Sequence, residues 1–280
     1  MRVVESITQL RAALKEAREA GKTVGFVPTM GALHEGHMAL ITRAKKTTDL
    51  VIASVFVNPT QFNNKNDLAV YPRTPEKDAA LLEEHGCDIA FFPSVEEMYP
   101  EHYEAPKIPL GTLATVMEGE FRPGHFDGVV EIVSRFFEIV EPDYAFFGMK
   151  DFQQVAVIGQ MVRYLGMPVT IVPCPTLRET SGLAMSSRNM RLSEAQKEEA
   201  LHIYRTLSRA KAEAAAKTPE EVRNSAIAYF NESAMKLEYF SIVDPVTLQP
   251  LKDTWVDGAT ACIAAFCGEV RLIDNVILKD

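Results

Sequence analysis

Along the first two-thirds of the chain, short apolar runs alternate with stretches whose apolar residues recur at helical spacing. Thr23–Val27, Leu50–Val57, Cys87–Phe92, Tyr144–Phe147 and Val169–Val172 read as strands apolar on both faces. Between them, Leu10–Ala20, Met38–Lys45, Thr74–Glu84, Val129–Ile139 and Phe152–Leu165 read as amphipathic helices. Punctuation supports the divisions. Gly21 ends the first helix, Pro28 cannot donate to a ladder and ends the first strand, and Asn58-Pro59 and Pro93 close the next two. Thr74 suits an N-cap, Pro75 the first helical position, and Glu76 and Asp78 the positive end of the helix dipole. Such interleaving predicts an α/β fold with a doubly wound, Rossmann-like parallel sheet, which binds ligands at the carboxyl ends of its strands.

After Leu183 the pattern changes. Ser193–Ala216 and Pro219–Ala234 are charged helical stretches, followed by short strands at Glu238–Val243, Thr260–Phe266 and Val270–Ile273. The expected division is a Rossmann-like nucleotide-binding domain over 1–183 and a smaller α+β domain over 184–280.

Composition narrows the partners. With 280 residues, 47% hydrophobic and 24% charged, the chain suits a soluble globular protein with a substantial core. A net charge of −9 argues against a nucleic-acid or membrane surface, so any anionic ligand must be held by a few local cations. Cys87, Cys174, Cys262 and Cys267 lack metal-like spacing and sit in apolar contexts, the pattern of buried thiols in a reducing compartment. Without a signal-peptide pattern or an apolar run of membrane length, the expected location is the cytoplasm.

The densest chemistry lies in Val24–His37, Val-Gly-Phe-Val-Pro-Thr-Met-Gly-Ala-Leu-His-Glu-Gly-His. The strand turns through Thr29, Met30 and Gly31 and delivers His34 and His37 to a helix start. Gly31 and Gly36 let an anion approach the backbone, where N–H groups and the helix dipole face it. Two imidazoles three residues apart share one face of a helix. Together these features make a polyphosphate site. A zinc helix would need His-Glu-x-x-His, and this segment is one residue short. Gly21-Lys22-Thr23 imitates the end of a P-loop, but Glu16 occupies the required upstream glycine position and the segment runs helix into strand.

Other motifs also follow strands. Phe-Val-Asn58-Pro-Thr-Gln61-Phe brings two neutral amides suited to hydroxyl and carboxylate groups. Gly148-Met149-Lys150-Asp151-Phe-Gln-Gln154 supplies access, a cation for phosphate, and a carboxylate for ribose or a metal ion. Met185-Ser186-Ser187-Arg188 joins the two domains and suits a lid that clamps phosphates.

Together these motifs resemble the pantothenate synthetase (pantoate–β-alanine ligase) family of the His-x-Gly-His nucleotidylyltransferase superfamily. The resemblance extends through Tyr71-Pro-Arg-Thr74, Arg122-Pro-Gly-His-Phe126 and Arg271-Leu-Ile-Asp-Asn275, nearly the whole chain. It implies an ATP-dependent ligase that joins pantoate to β-alanine through a pantoyl adenylate, with Mg²⁺ on the phosphates and a homodimeric assembly. By resemblance, ATP is held by Met30, Gly31, Ala32, Leu33, His34, Glu35, Gly36 and His37, by Gly148, Met149, Lys150 and Asp151, and by Leu177, Met185, Ser186, Ser187 and Arg188. The same resemblance gives catalysis to His34, His37, Lys150 and Arg188, with a protonated His37 as donor to the departing phosphate. Gln61, Gln154, Asn58 and Met30 take pantoate and β-alanine. It makes 1–183 the pantoate-binding domain as well, and 184–280 the lid. Met149 and Asp127 depart from the Glu and Arg often found at those positions, so neither side chain is assigned a charge role. The competing readings are a related nucleotidyltransferase acting on a phosphate, whose more anionic acceptor would call for more cations, and a nucleotide sensor without catalysis.

Overall fold

The computed structural model describes residues 1–62 and 65–279. They form two compact units. The first comprises Met1–Leu110, Arg122–Met149 and Val157–Pro175, and the second Gly111–Phe121, Lys150–Ala156 and Thr176–Asp280. The second unit thus takes in 111–121, 150–156 and 176–183 from within 1–183.

In the first unit, strands β1 (Arg2–Val4), β2 (Val24–Thr29), β3 (Leu50–Val55), β4 (Ile89–Phe91), β5 (Tyr144–Gly148) and β6 (Thr170–Cys174) form a parallel sheet in the order β1-β4-β3-β2-β5-β6. Helices α1 (Ile7–Glu19), α2 (Glu35–Lys45), α3 (Lys65–Val70), α4 (Pro75–Glu84) and α5 (Val95–Met98) come before β5. Helix α6 (Glu118–Phe121) belongs to the second unit, α7 (His125–Val140) to the first, and α8 (Phe152–Leu165) begins in the second and continues into the first. The strands are apolar on both faces because the sheet is covered on both. On one side Met38, Ile41 and Ala44 of α2 pack with Val27, Val51, Ala53 and Phe146. From β2 the chain winds to β3 on one side and later to β5 on the other. The carboxyl ends of β2 and β5 therefore flank the topological switch point, where such sheets bind ligands.

The apolar pattern anticipated this sheet, with three local exceptions. Strand β1 has three residues, of which only Val4 is buried, too few for a period to show. Helix α2 begins at Glu35 rather than Met38 because the His residues themselves cap it. Pro28 does not end β2, which pairs with β3 as far as Thr29–Val55. The carbonyls of Thr23 and Thr29 accept from Leu50 and Phe56 on the β3 side, whereas Val24 O accepts from Asp143 N just before β5. Hydrogen-bonding groups alternate sides, so Pro28 faces β5, whose pairing with β2 has already ended at Phe26–Ala145. The missing N–H is lost where no ladder needs it.

In the second unit, α9 (Glu194–Glu213) and α10 (Pro219–Phe230) pack on an antiparallel sheet of β7 (Lys236–Val243), β8 (Thr260–Cys267) and β9 (Val270–Ile277). Capping boxes Ser193/Gln196 and Thr218/Glu221 start both helices. Ile203, Leu207, Val222, Phe230, Ile242 and Ile263 share its core. Across the sheet's other face, Arg271 donates to both oxygens of Glu118 at 2.7 and 2.8 Å and through Nε to Glu238 at 2.9 Å, while Tyr239 O–H donates to Glu118 at 2.9 Å. This network fastens 111–121 into the unit. All four cysteines are buried thiols, and burial pushes Cys87 up to about 12. Among the described residues no helix is long and apolar enough to cross a membrane.

Candidate active site

The loop leaving β2 is held from beneath by a carboxylate. Gly31 (φ +80°) and Ala32 (φ +50°) are both left-handed, and a Cβ on Gly31 would lie 3.0 Å from Asp78 Oδ2 and Val55 Cγ1. Asp78, 1% exposed, accepts the N–H of Ala32 at 3.0 Å and of Leu33 at 2.8 Å. Thr74 makes no side-chain bond to the helix backbone; its hydroxyl donates to Asp78 Oδ1 at 3.1 Å. The sequence pattern treats Asp78 as a first-turn acid, and nothing in it separates an acid facing water from one turned under a loop.

His34 is the N-cap of α2 and His37 its third residue, and each caps for the other. His34 Nδ1 accepts from Gly36 N–H at 3.1 Å, and His37 Nδ1 accepts from His34 N–H at 3.3 Å. The rings lie 4.1 Å apart, centroid to centroid. In this cap each ring turns its Nδ1 to the backbone as an acceptor. Glu35, the first residue of α2, is exposed, 3.9 Å from His85.

At the end of β3 a short helical turn, Pro59–Gln61, presents Gln61, whose Nε2 donates to the Met30 sulfur at 2.9 Å. Asn58 is 1% exposed and turned inward: its Nδ2 lies within hydrogen-bond reach of Gly128 O, Thr60 Oγ1 and Gln61 Oε1, and its Oδ1 accepts from Tyr99 O–H at 2.7 Å. His125 Nδ1 lies 2.8 Å from Gln61 O. Helix α7 approaches this turn so closely that a Cβ on Gly128 would be 2.5 Å from Thr60 O. His125, Gly128 and Tyr99 are thus supports for Gln61 that the pattern did not single out. The Arg122–Phe126 motif was their one visible trace.

At the carboxyl end of β5, across the switch point from β2, Gly148 faces open space on the side a Cβ would take. Met149–Asp151 then forms a helical turn. Lys150 Nζ lies 3.3 Å from Asp151, whose side chain is 44% exposed. Gln154 is partly exposed on α8, whereas its neighbour Gln153 is buried, donating to Leu113 O and Val116 O and accepting from Glu118 N–H. In the second unit Met185 N–H donates to Leu177 O, and the Ser186 hydroxyl caps the turn Ser187–Arg191 by accepting from Arg188 N–H at 3.2 Å. Leu177 is exposed and Ser187 buried.

A family model described as pantoate-beta-alanine ligase matches residues 2–277. The chain belongs to the pantoate–β-alanine ligase family. It is 52% identical over 283 residues to the pantothenate synthetase of Porphyromonas gingivalis (strain ATCC BAA-308 / W83), covering 100% of both chains. To that of Bacteroides thetaiotaomicron it is 50% identical, again over 100% of both. Its fold is similar to that of the pantothenate synthetase from Thermus thermophilus, with a TM-score of 0.95 and 45% identity over 100% of each chain. The pantoate–β-alanine ligase from Francisella tularensis, solved in complex with beta-gamma ATP and β-alanine, is similar at a TM-score of 0.83 and 35% identity, over 99% of this chain and 98% of that one. Ligases of this family share with the present chain both the parallel sheet and the small antiparallel one.

Proposed function

We propose that this chain makes pantothenate in two half-reactions through a pantoyl adenylate. The overall reaction, ATP-dependent condensation of pantoate with β-alanine, is that of its family, and the chain is a carbon–nitrogen ligase. In the first step a pantoate carboxylate oxygen bonds to the α-phosphorus of ATP as the bond to pyrophosphate breaks. In the second, the β-alanine amine bonds to the acyl carbon, AMP leaves with the bridging oxygen, and the amine loses a proton.

The observation that carries this reading is the reciprocal cap of His34 and His37 at the carboxyl end of β2, with Gln61 against Met30 at the neighbouring strand end. Two imidazoles held at a helix start suit phosphate oxygens. Preorganised donors of this kind stabilise charge that develops at a departing phosphate. Lys150 and Arg188 supply cationic charge. Met30–His37, Gly148–Asp151, Leu177 and Met185–Arg188 form the ATP set. Gln61 and Gln154 bind pantoate and β-alanine, Met30 gives the methyl groups of pantoate an apolar contact, and Asn58 holds Gln61 in place.

Mg²⁺ enters as the salt of ATP. Among the described residues no group of three or more His, Cys, Asp or Glu forms a metal cage, and the partly exposed Asp151 carboxylate fits an ion that brings most of its ligands as phosphate and water. When bound, the ion neutralises phosphate charge. A cytoplasmic homodimer without nucleic-acid or membrane partners completes the proposal.

The test is isotopic. With ATP, Mg²⁺ and pantoate but no β-alanine, labelled pyrophosphate exchanges into ATP. Pantoate labelled with ¹⁸O in its carboxylate leaves one label on AMP after the full reaction. Release of ADP, with the label in inorganic phosphate, would overturn the adenylate route.

A further inference from the structure

The motif Arg271-Leu-Ile-Asp-Asn275 has no part in the chemistry above, yet it lies on β9, where two segments assigned to ATP are tied down. We propose that Asp274 and Asn275 are positioning residues that fix the Lys150 turn and the Ser186–Arg188 clamp relative to each other. The proposal rests on the reading of Lys150, Ser186, Ser187 and Arg188 as phosphate contacts.

Adjacent residues of a strand point to opposite faces of the sheet. Asp274 is on the α9 side, with Leu272 and Val270 of the core, and its side chain is 3% exposed. It takes Arg178 in a two-pronged pair at 2.6 and 3.0 Å. Arg178 also donates to Gly182 O and Asn275 O, and its guanidinium lies 4.7 Å from the centroid of the Tyr204 ring on α9. Planar pairing of this type fixes orientation as well as distance. Arg178 begins a tight turn closed by an antiparallel bridge to Ala184 and by hydrogen bonds from Glu179 N–H to Leu183 O and from Met185 N–H to Leu177 O. Its tip, Gly182 at φ +102°, presses on Tyr204, where a Cβ would come within 2.4 Å of the ring. The turn runs directly into Ser186–Arg188.

Asn275 serves the other face, the one on which Arg271 grips Glu118. Its Nδ2 donates to Lys150 O at 2.9 Å, and its own N–H donates to Asp274 Oδ1 at 2.8 Å. Neighbouring residues on one hydrogen-bonded strand therefore hold the backbone of the Lys150 turn and, through Arg178, the root of the clamp. Asn275→Asp keeps the size of the side chain but sets a carboxylate against a carbonyl, so the Lys150 turn is released.

The test separates this role from a purely structural one by half-reaction. In Asn275→Asp, the KM for ATP rises and pyrophosphate exchange falls, together by roughly 10–100-fold, the scale for a small misplacement of a catalytic group. The reaction of supplied pantoyl adenylate with β-alanine changes little, and Asn275→Ser, which keeps a donor, recovers part of the exchange. Asn275→Ala gives the same readings should the Asp variant fail to fold. Unchanged ATP kinetics in the folded variants, or an equal fall in both half-reactions, would overturn the proposal. Lys150→Ala tells the two readings apart. If it too leaves exchange normal, the phosphate assignment is wrong; if it alone impairs exchange, only the positioning role is.

Discussion

Asp78→Ala tests whether the loop leaving β2 is held by one buried carboxylate. The substitution removes the carboxylate that accepts from the Ala32 and Leu33 N–H groups and from the Thr74 hydroxyl. A buried donor left unsatisfied costs about 1–3 kcal/mol, so the two backbone groups alone give about 2–6 kcal/mol. Part of this is returned, because the variant no longer buries a charge, which sets the expectation at about 2–4 kcal/mol. For a unit of this size, each kcal/mol moves the melting temperature by about 2–4 °C, so the loss is roughly 5–15 °C. Asp78→Asn keeps one acceptor oxygen and falls between the two. Once released, Ala32 relaxes from its left-handed conformation, a geometry that costs about 1–3 kcal/mol to maintain outside glycine. The His34–His37 cap then loses its fixed starting point. Calorimetric melting and ATP titration on the same samples measure both consequences. Unchanged melting with an unchanged KM for ATP in Asp78→Ala would refute the reasoning.

The other expectations follow from the same geometry. His37→Ala and Lys150→Ala each lower turnover by roughly 10²–10³-fold while melting near the parent, since each removes one charge-stabilising group and little core; normal turnover in folded variants would remove them from the mechanism. Gln61→Ala weakens pantoate use by about 1–3 kcal/mol with ATP binding nearly unchanged, as steady-state kinetics with each substrate varied will show. Gly128→Ala acts on pantoate through Gln61 and also lowers stability by about 1–3 kcal/mol, because α7 must back away from the Thr60 carbonyl. Burial raises the pKa of Glu213, but hydrogen bonds from Lys217, Arg209 and Ser225 outweigh it and hold the carboxyl at about 2. Its folded-state pKa is depressed, so its contribution is present above the unfolded value of 4.5 and disappears as pH falls from there toward 2. Acid titration of stability in Glu213→Gln should lack that part of the loss.

What the sequence revealed and what it hid divide along physical lines. A parallel sheet covered on both faces demands continuous apolar strands, so β2, β3 and β5 were visible, as was the change of character beyond Leu183. The His-x-Gly-His segment was visible because glycine, proline and histidine each restrict what a strand end can do. Pro28 misled because its cost depends on which neighbour it faces, a property of strand order that no local pattern carries. The contacts of Asp78, Gly128 and Asn275 stayed hidden for a related reason: each meets a backbone group distant in sequence. A residue that supports another looks like any polar or small residue until its partner is in place.

The second unit is built from separated stretches, and that has a consequence for how the protein comes into being. Glu118 precedes Arg271 by 153 positions, and Lys150 precedes Asn275 by 125. On the ribosome, therefore, α6 and the Lys150 turn emerge long before the strand that secures them is translated. The parallel sheet of the first unit, complete by Cys174, has all its strands to hand far earlier. In a nascent chain that stalls short of β9, the Lys150 turn lacks its Asn275 anchor and Arg178 lacks its Asp274 carboxylate.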